Sequence, residues 1–201
     1  MSAMASRART TDRRFYGVAE AIVEAVEDPQ GEGRVRVRLP WFDPAEVSDW
    51  CRVANLFAGN GYGSTWTPEP EDEVLVAFVH GDPRIPVVLG GLYNGQDKPP
   101  RARTASTNAK TLRTKAGHEV LLDDSADSTG VEVRTSAGHR LRLDDVQNQV
   151  TLEISGGPSI RLSQSGGSIE ITATSITLDA SSITLTASGA LTAGGHPIKL
   201  N

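Results

Sequence analysis

Thr114-Lys115-Ala116-Gly117-His118-Glu119-Val120-Leu121-Leu122-Asp123-Asp124 returns as Thr135-Ser136-Ala137-Gly138-His139-Arg140-Leu141-Arg142-Leu143-Asp144-Asp145, offset by 21 residues from Gly117 to Gly138. Val131 and Val133 form an alternating pair between the two copies. Downstream the pattern thins but persists, as Val150, Leu152 and Ile154, then Ile160 and Leu162, Ile169 and Ile171, Ile176 and Leu178, Ile183 and Leu185. The corners are Ser-Gly-Gly, Ala-Thr-Ser or Ala-Ser-Ser, and no stretch carries a helical period. A period of two marks strands with one apolar face. Repeats this short are one-strand units that bury that face only by stacking on neighbours.

Each strand offers two or three aliphatics and no aromatic ring, a stripe too thin for a wide monomeric solenoid. It suits a narrow core to which three identical chains each supply one face of a triangular prism. Continuous interchain pairing would also remove exposed sheet edges. Residues 110–201 are therefore read as a trimeric, intertwined β-helix or β-prism, with Val150, Leu152, Ile154, Ile169, Ile171, Ile176, Leu178, Ile183 and Leu185 as core positions. At one layer per strand, some ten strands make a rod roughly 50 Å long. Between Gly156 and Asn201 the only charged side chains are Arg161, Glu170, Asp179 and Lys199.

Toward the N-terminus the grammar changes. Residues 96–109 are polar, with Pro99-Pro100, Arg101 and Arg103, and read as an extended linker. Residues 15–95 hold most of the aromatic residues and read as five short strands. Val18, Ile22, Val23 and Val26 lead to a turn at Glu27–Gly31, and Gly33–Leu39 alternates strictly, with Val35, Val37 and Leu39 on one face. Arg34, Arg36 and Arg38 face the other way, solvated or paired with neighbouring carboxylates. A third strand is expected over Cys51–Phe57, a loop over Ala58–Ser64, a central strand over Glu73–Val79 and a last one over Pro86–Gly90 before the turn Asn94-Gly95. Five such strands fit a small Greek-key barrel of the oligonucleotide-binding (OB) shape. Residues 1–14 read as a flexible arm.

The net charge of −5 argues against a surface built mainly for nucleic acid. The single cysteine, Cys51, excludes an intrachain disulfide and a multi-thiolate zinc cluster. No apolar run approaches a membrane helix, and Met1–Thr11 lacks the core of a signal peptide. His118 and His139 occupy equivalent corners, and Asp123-Asp124 and Asp144-Asp145 sit at strand ends where Asp makes turns. No nucleophile motif or calcium-loop spacing accompanies them. His196 could place three imidazoles about a threefold axis, but it has no second ligand beside it, and Gly194–Pro197 reads as a final turn. No catalytic, cofactor or metal site is expected.

One segment carries a family resemblance. Asp72-Glu73-Val74-Leu75-Val76-Ala77-Phe78-Val79-His80-Gly81-Asp82-Pro83-Arg84-Ile85-Pro86-Val87-Val88-Leu89-Gly90-Gly91-Leu92-Tyr93-Asn94-Gly95 resembles the signature of the phage baseplate assembly protein V and type VI Vgr spike family. Gly33–Pro40, the Trp66-x-Pro68 element, and both Gly-His strands with Asp-Asp ends continue the resemblance. Its specific positions are Trp66, Pro68, Gly81, Asp82, Pro83, Pro86, Gly90, Tyr93, Asn94, Gly95, Gly117, His118, Gly138 and His139.

The resemblance implies a non-enzymatic homotrimeric spike of a contractile injection system. Its barrels would form a collar on a baseplate hub protein, and its prism would pierce a target envelope in transient contact with the membrane. A PAAR-type tip protein, able to carry effector cargo, would cap the end near His196, Pro197, Ile198 and Leu200. The spike would be assembled in the cytoplasm as part of a phage tail or tail-like particle that can be released from the cell. Glu71 departs from the family, which often has Gly before the Asp-Glu-Val strand. Only about 14 residues precede the barrel, so hub function is expected on a separate chain, and the His-x-His pair of self-sharpened spikes is missing. A trimeric β-helical adhesin or binding fibre is the alternative reading.

Overall fold

A computed structural model describes residues 14–195. The N-terminal arm up to Arg13 and the tip positions His196, Pro197, Ile198 and Leu200 lie outside the described residues. The chain divides into two compact units between Pro99 and Pro100. Among the described residues both are built from β-strands, with one short 3-10 turn at Val79–Gly81.

The first unit contains β1 (Val18–Ala25), β2 (Arg36–Leu39), β3 (Asp43–Val47), β4 (Arg52–Val53), β5 (Ala58–Gly59), β6 (Tyr62–Gly63), β7 (Glu73–Phe78) and β8 (Pro86–Gly91). Six strands form one sheet in the order β3-β2-β1-β7-β8-β4. An antiparallel bridge between Val35 and Cys51 ties the start of β2 to the start of β4, so β2-β1-β7-β8-β4 closes on itself with β3 added outside. Alternation along each strand sends Ala21, Val23, Val35, Val37, Leu39, Val74, Val76, Phe78 and Val88 into a single core. Cys51 is buried there too, its Sγ–H donating to the Val35 carbonyl at 3.0 Å. Burial pushes its thiol pKa up.

The three arginines of β2 and its approach are all engaged. Arg34 grips Asp28 through Nη2–Oδ1 at 2.8 Å and Nε–Oδ2 at 2.9 Å. Arg36 donates to the Ser48 carbonyl, and Arg38 faces Glu24.

Two expectations in this unit need correction. The strand expected over Cys51–Phe57 is only Arg52–Val53, because the chain turns away after Ala54 and exposes Leu56 and Phe57. The loop expected over Ala58–Ser64 contains a two-rung hairpin, β5–β6, turning through Asn60-Gly61 with Gly61 at φ +78°. Glu71 adopts φ +74°, which explains why glycine suits the position before Asp72. Left-handed backbone costs a side-chain-bearing residue about 1–2 kcal/mol. Glu71→Gly is expected to raise stability by up to about 1 kcal/mol once the extra unfolded-state freedom of glycine is subtracted, measurable as a higher denaturant midpoint.

The second unit is one seven-stranded antiparallel meander of β9 (Ala109–Arg113), β10 (Glu119–Asp123), β11 (Gly130–Arg134), β12 (Arg140–Asp144), β13 (Gln149–Glu153), β14 (Ser159–Ser163) and β15 (Ser168–Thr172). These strands pair with their neighbours in the chain and form one sheet, consistent with a face of a β-prism. The alternation fixes which face a side chain takes but not which strand lies beside it. Ile176, Leu178, Ile183 and Leu185, expected in strands, join none, and residues 173–195 are exposed throughout.

Candidate functional site

Register builds the most distinctive surface of the second unit. Directly opposed residues share a face, and the antiparallel pairings align Leu112, Val120, Val133, Leu141, Leu152, Ile160 and Ile171 in one row across all seven strands. A second row on the same face runs Lys110, Leu122, Val131, Leu143, Val150, Leu162 and Ile169. Only Lys110 interrupts the aliphatic character, at the outer strand, where it pairs with Asp124. The aliphatics of this face, Val131 apart, are exposed, from 37% at Val150 and Ile160 to 72% at Ile169.

A continuous apolar face of this extent marks an interaction surface. Covering it would contribute on the order of 10 kcal/mol per chain, at about 1 kcal/mol for each half-exposed aliphatic. That is comparable to the whole stability of an ordinary domain. Of the core positions read from sequence, Val150, Leu152, Ile169 and Ile171 stand in these rows, and Ile154 follows β13 into a turn. The rows before Val150 were missed as core, although their alternation was visible.

The opposite face is largely polar and cross-linked, with the apolar Leu121 buried on it beside Thr111 and Glu132. Glu119, 3% exposed, receives Arg101 Nε at 3.0 Å, Arg134 Nη2 at 2.6 Å and the Thr111 hydroxyl at 3.0 Å. Arg140 pairs with Glu153, Arg142 with Glu132 and Asp144, and Arg161 with Glu170. The Arg101 guanidinium, with Thr111 and Arg134 beside it, pushes the Glu119 pKa down from 4.5 to about 2. A lowered carboxylate pKa contributes stability that is complete above about 4.5 and lost as pH falls toward 2. Glu119→Gln is expected to remove about 2 kcal/mol at neutral pH, a figure reduced for the solvent-accessible arginines. It should also flatten the pH dependence of unfolding midpoints between pH 5 and 2. Sequence gave no sign of this cluster, because Arg101 stands 18 positions away in the linker.

The repeated corners are structural. In the first, Gly117 (φ +92°) and His118 close a turn on Thr114, and His118 Nδ1 accepts the Ser136 amide from the next corner at 3.2 Å. The second repeats this with Gly138 (φ +87°), His139 and the Ser155 amide, also 3.2 Å. Each ring therefore stitches one hairpin turn to the next along the sheet edge. The Asp residues clamp the other edge. Asp123 accepts from the Ser125 amide and Ser128 hydroxyl, and Asp144 from the Gln147 amide and Arg142. These bonds hold both carboxyls below their ordinary pKa. Among the described residues no group of three His, Cys, Asp or Glu side chains could hold a metal ion.

The signature residues of the first unit fall at its two ends. After β7, Gly81 (φ +75°) packs against Arg14 and Tyr16, where a Cβ would come within 3.1 Å of either side chain. Asp82 holds Arg84 through Oδ2–Nη2 at 2.7 Å, which with the Arg84 amide pushes its carboxyl down to about 2. Pro83 follows, and Pro86 opens β8. Phe15, Trp41 and Phe78 cluster at this end with ring centres 5.1 to 6.3 Å apart, and Phe42 meets Trp41 edge-to-face. A groove lined by Phe42, Glu46, Asp49, Asp82 and Arg84 lies beside them. At the other end, Asn94 donates to Glu73 at the start of β7 and accepts the amides of Gln96 and Asp97. Tyr93 and Trp66 are exposed, Pro68 is half-buried, and Gly90 and Gly95 lie open.

Comparison with known proteins adds identity to this geometry. Residues 19–93 match the type VI secretion system/phage-baseplate injector OB domain, and residues 130–192 match the phage baseplate V C-terminal trimerisation domain. The type VI secretion system spike protein VgrG3 of Vibrio cholerae is 33% identical over 123 residues, 53% of this chain and 12% of that protein. The spike protein VgrG4b of Pseudomonas aeruginosa is 41% identical over 112 residues, 50% of this chain and 14% of that protein. The actin cross-linking toxin VgrG1 of Vibrio cholerae is 31% identical over 105 residues, 47% of this chain and 10% of that protein. The chain thus spans well under a fifth of the length of these relatives.

Proposed function

This chain is a Vgr-like protein of the baseplate V family, and we propose that three copies of it form the central spike of a contractile injection system. The two-row apolar face carries the proposal. A single chain leaves a dozen aliphatics at least a third exposed, and three such faces turned inward would bury them in a triangular prism. The charged, cross-linked face would then lie outward in water. In this reading the role is mechanical and non-enzymatic. The OB barrels dock on a separate hub protein, the prism meets the target membrane, and a PAAR-type protein, with any effector cargo, seats at the C-terminal end. The particle is a phage tail or a tail-like relative.

The groove beside Phe42 and Arg84 is the surface proposed for the hub. The test is co-purification of the chain with the hub protein of its own baseplate. The expected result is a stable complex that Phe42→Ala weakens at least about tenfold, as loss of a buried aromatic anchor does. A trimer that binds neither hub nor tip protein would instead fit an adhesin-like fibre and overturn the spike assignment.

A further inference from the structure

The first unit contains two Asn-Gly pairs, Asn60-Gly61 and Asn94-Gly95, alike in sequence and both at turns. An asparagine before glycine can close on the backbone, because glycine has no side chain to hinder approach of the carboxamide to its nitrogen. A Cβ built on Gly61 or on Gly95 would meet nothing within 4 Å, so access to the nitrogen does not separate the two sites. The asparagine side chains do.

Asn94 is locked. Its Nδ2 donates to Glu73 Oε2 at 2.6 Å and to Asp97 Oδ2 at 3.1 Å, and its Oδ1 accepts the Gln96 and Asp97 amides at 2.8 and 2.7 Å. Glu73 opens the central strand β7, which anchors this network to the barrel. To swing onto the Gly95 nitrogen the carboxamide has to give up these bonds, two of them to carboxylates. Asn60 is the opposite case. It stands with Gly61 at the tip of hairpin β5–β6, outside the two rungs Ala58–Gly63 and Gly59–Tyr62. Every residue from Ala54 to Gly63 is exposed, and among the described residues nothing bonds to the Asn60 carboxamide. An exposed side chain turns in picoseconds to nanoseconds. Its Cγ therefore comes repeatedly within the about 3–3.5 Å of the Gly61 nitrogen that bond formation needs.

We propose that Asn60 is a site of spontaneous deamidation and that Asn94 is spared. The Gly61 backbone nitrogen gives up its proton and bonds to Asn60 Cγ. The Cγ–Nδ2 bond breaks, and Nδ2 leaves as ammonia with that proton, closing a succinimide ring. Water then opens the ring at either carbonyl, giving aspartate or isoaspartate, with no oxidant or reductant consumed. Either product sets a carboxylate at the tip. Isoaspartate also routes the main chain through the side-chain methylene and lengthens the turn by one atom. Turn length sets hairpin register, so the extra atom works against both rungs. The modification loosens the hairpin that presents Leu56, Phe57 and Tyr62, all more than half exposed.

Incubation of the full-length native protein at neutral pH, followed by peptide mapping with mass spectrometry, tests the assignment. The peptide carrying Asn60 should gain the mass of an amide-to-acid conversion. It should also take up methyl groups from S-adenosylmethionine when a protein-L-isoaspartate methyltransferase is added. The peptide carrying Asn94 should convert at least about tenfold more slowly, the cost of breaking a bond to a carboxylate. In denatured protein the two sites should convert at similar rates, since the dipeptides are then alike. Asn60→Gln should abolish the first signal and leave the second unchanged. Equal rates at the two sites in the native protein would overturn the inference. Protection of Asn60 in the native protein, with conversion only on denaturation, would overturn it too and would mean that the hairpin is covered.

Discussion

Replacing Leu152 by Asp is expected to convert the protein from a trimer to a monomer. Leu152 lies mid-row, opposite Leu141 on one side and Ile160 on the other. In a prism three copies of residue 152 would meet in one layer. Three carboxylates there would have neither water nor a cation, and an unpaired buried charge costs several kcal/mol even after relaxation. That cost, together with the lost burial of Leu152 and the repulsion of three like charges in one layer, offsets most of the on-the-order-of-10 kcal/mol per chain that face burial contributes. A matched change on the other face separates the two roles. Thr151→Asp, one residue away and pointing outward, should leave the trimer intact. Native mass of the two variants, measured side by side, reads out the result.

The second large effect is expected at Gly130. This residue opens β11 opposite Asp144 of β12, and a Cβ built on it would stand 2.3 Å from the Leu143 carbonyl oxygen. That oxygen is backbone in the middle of the sheet and cannot rotate aside. Gly130→Ala should force β11 and β12 apart, break both rows at their centre and destabilise the unit by more than about 3 kcal/mol, the range of severe single substitutions. Gly189→Ala is the control, since a Cβ there meets nothing within 4 Å. Thermal unfolding of both variants distinguishes a local clash from a general intolerance of alanine for glycine.

Much of this architecture can be read directly from residue order. Val35-x-Val37-x-Leu39 and Val74-x-Val76-x-Phe78 declare their buried faces by alternation alone, and both fill the barrel core. The 21-residue repeat likewise declares two equivalent corners, and His118 and His139 make the same bond in each. What escapes is whatever depends on a partner distant in sequence. Strand β3, Asp43-Pro44-Ala45-Glu46-Val47, has no apolar alternation, because an edge strand is held by backbone pairing to β2. Glu119 reads as one more polar residue at a corner until Arg101 and Arg134 are brought to it. Gly130 looks like an ordinary turn glycine, and only the approach of Leu143 makes it irreplaceable. Ile176 to Leu185 show the converse limit. Their pattern is strand-like, but a strand exists only where something lies alongside to pair with it.

The account turns on whether the apolar face of the second unit is buried among three copies of the chain. The native mass of the purified full-length protein tests this most directly. Three chains of 21.4 kDa give a particle of about 64 kDa, and that is the mass expected across the micromolar range without dissociation. A stable, monodisperse species of 21.4 kDa would contradict it, since the two aliphatic rows would then stand permanently in water.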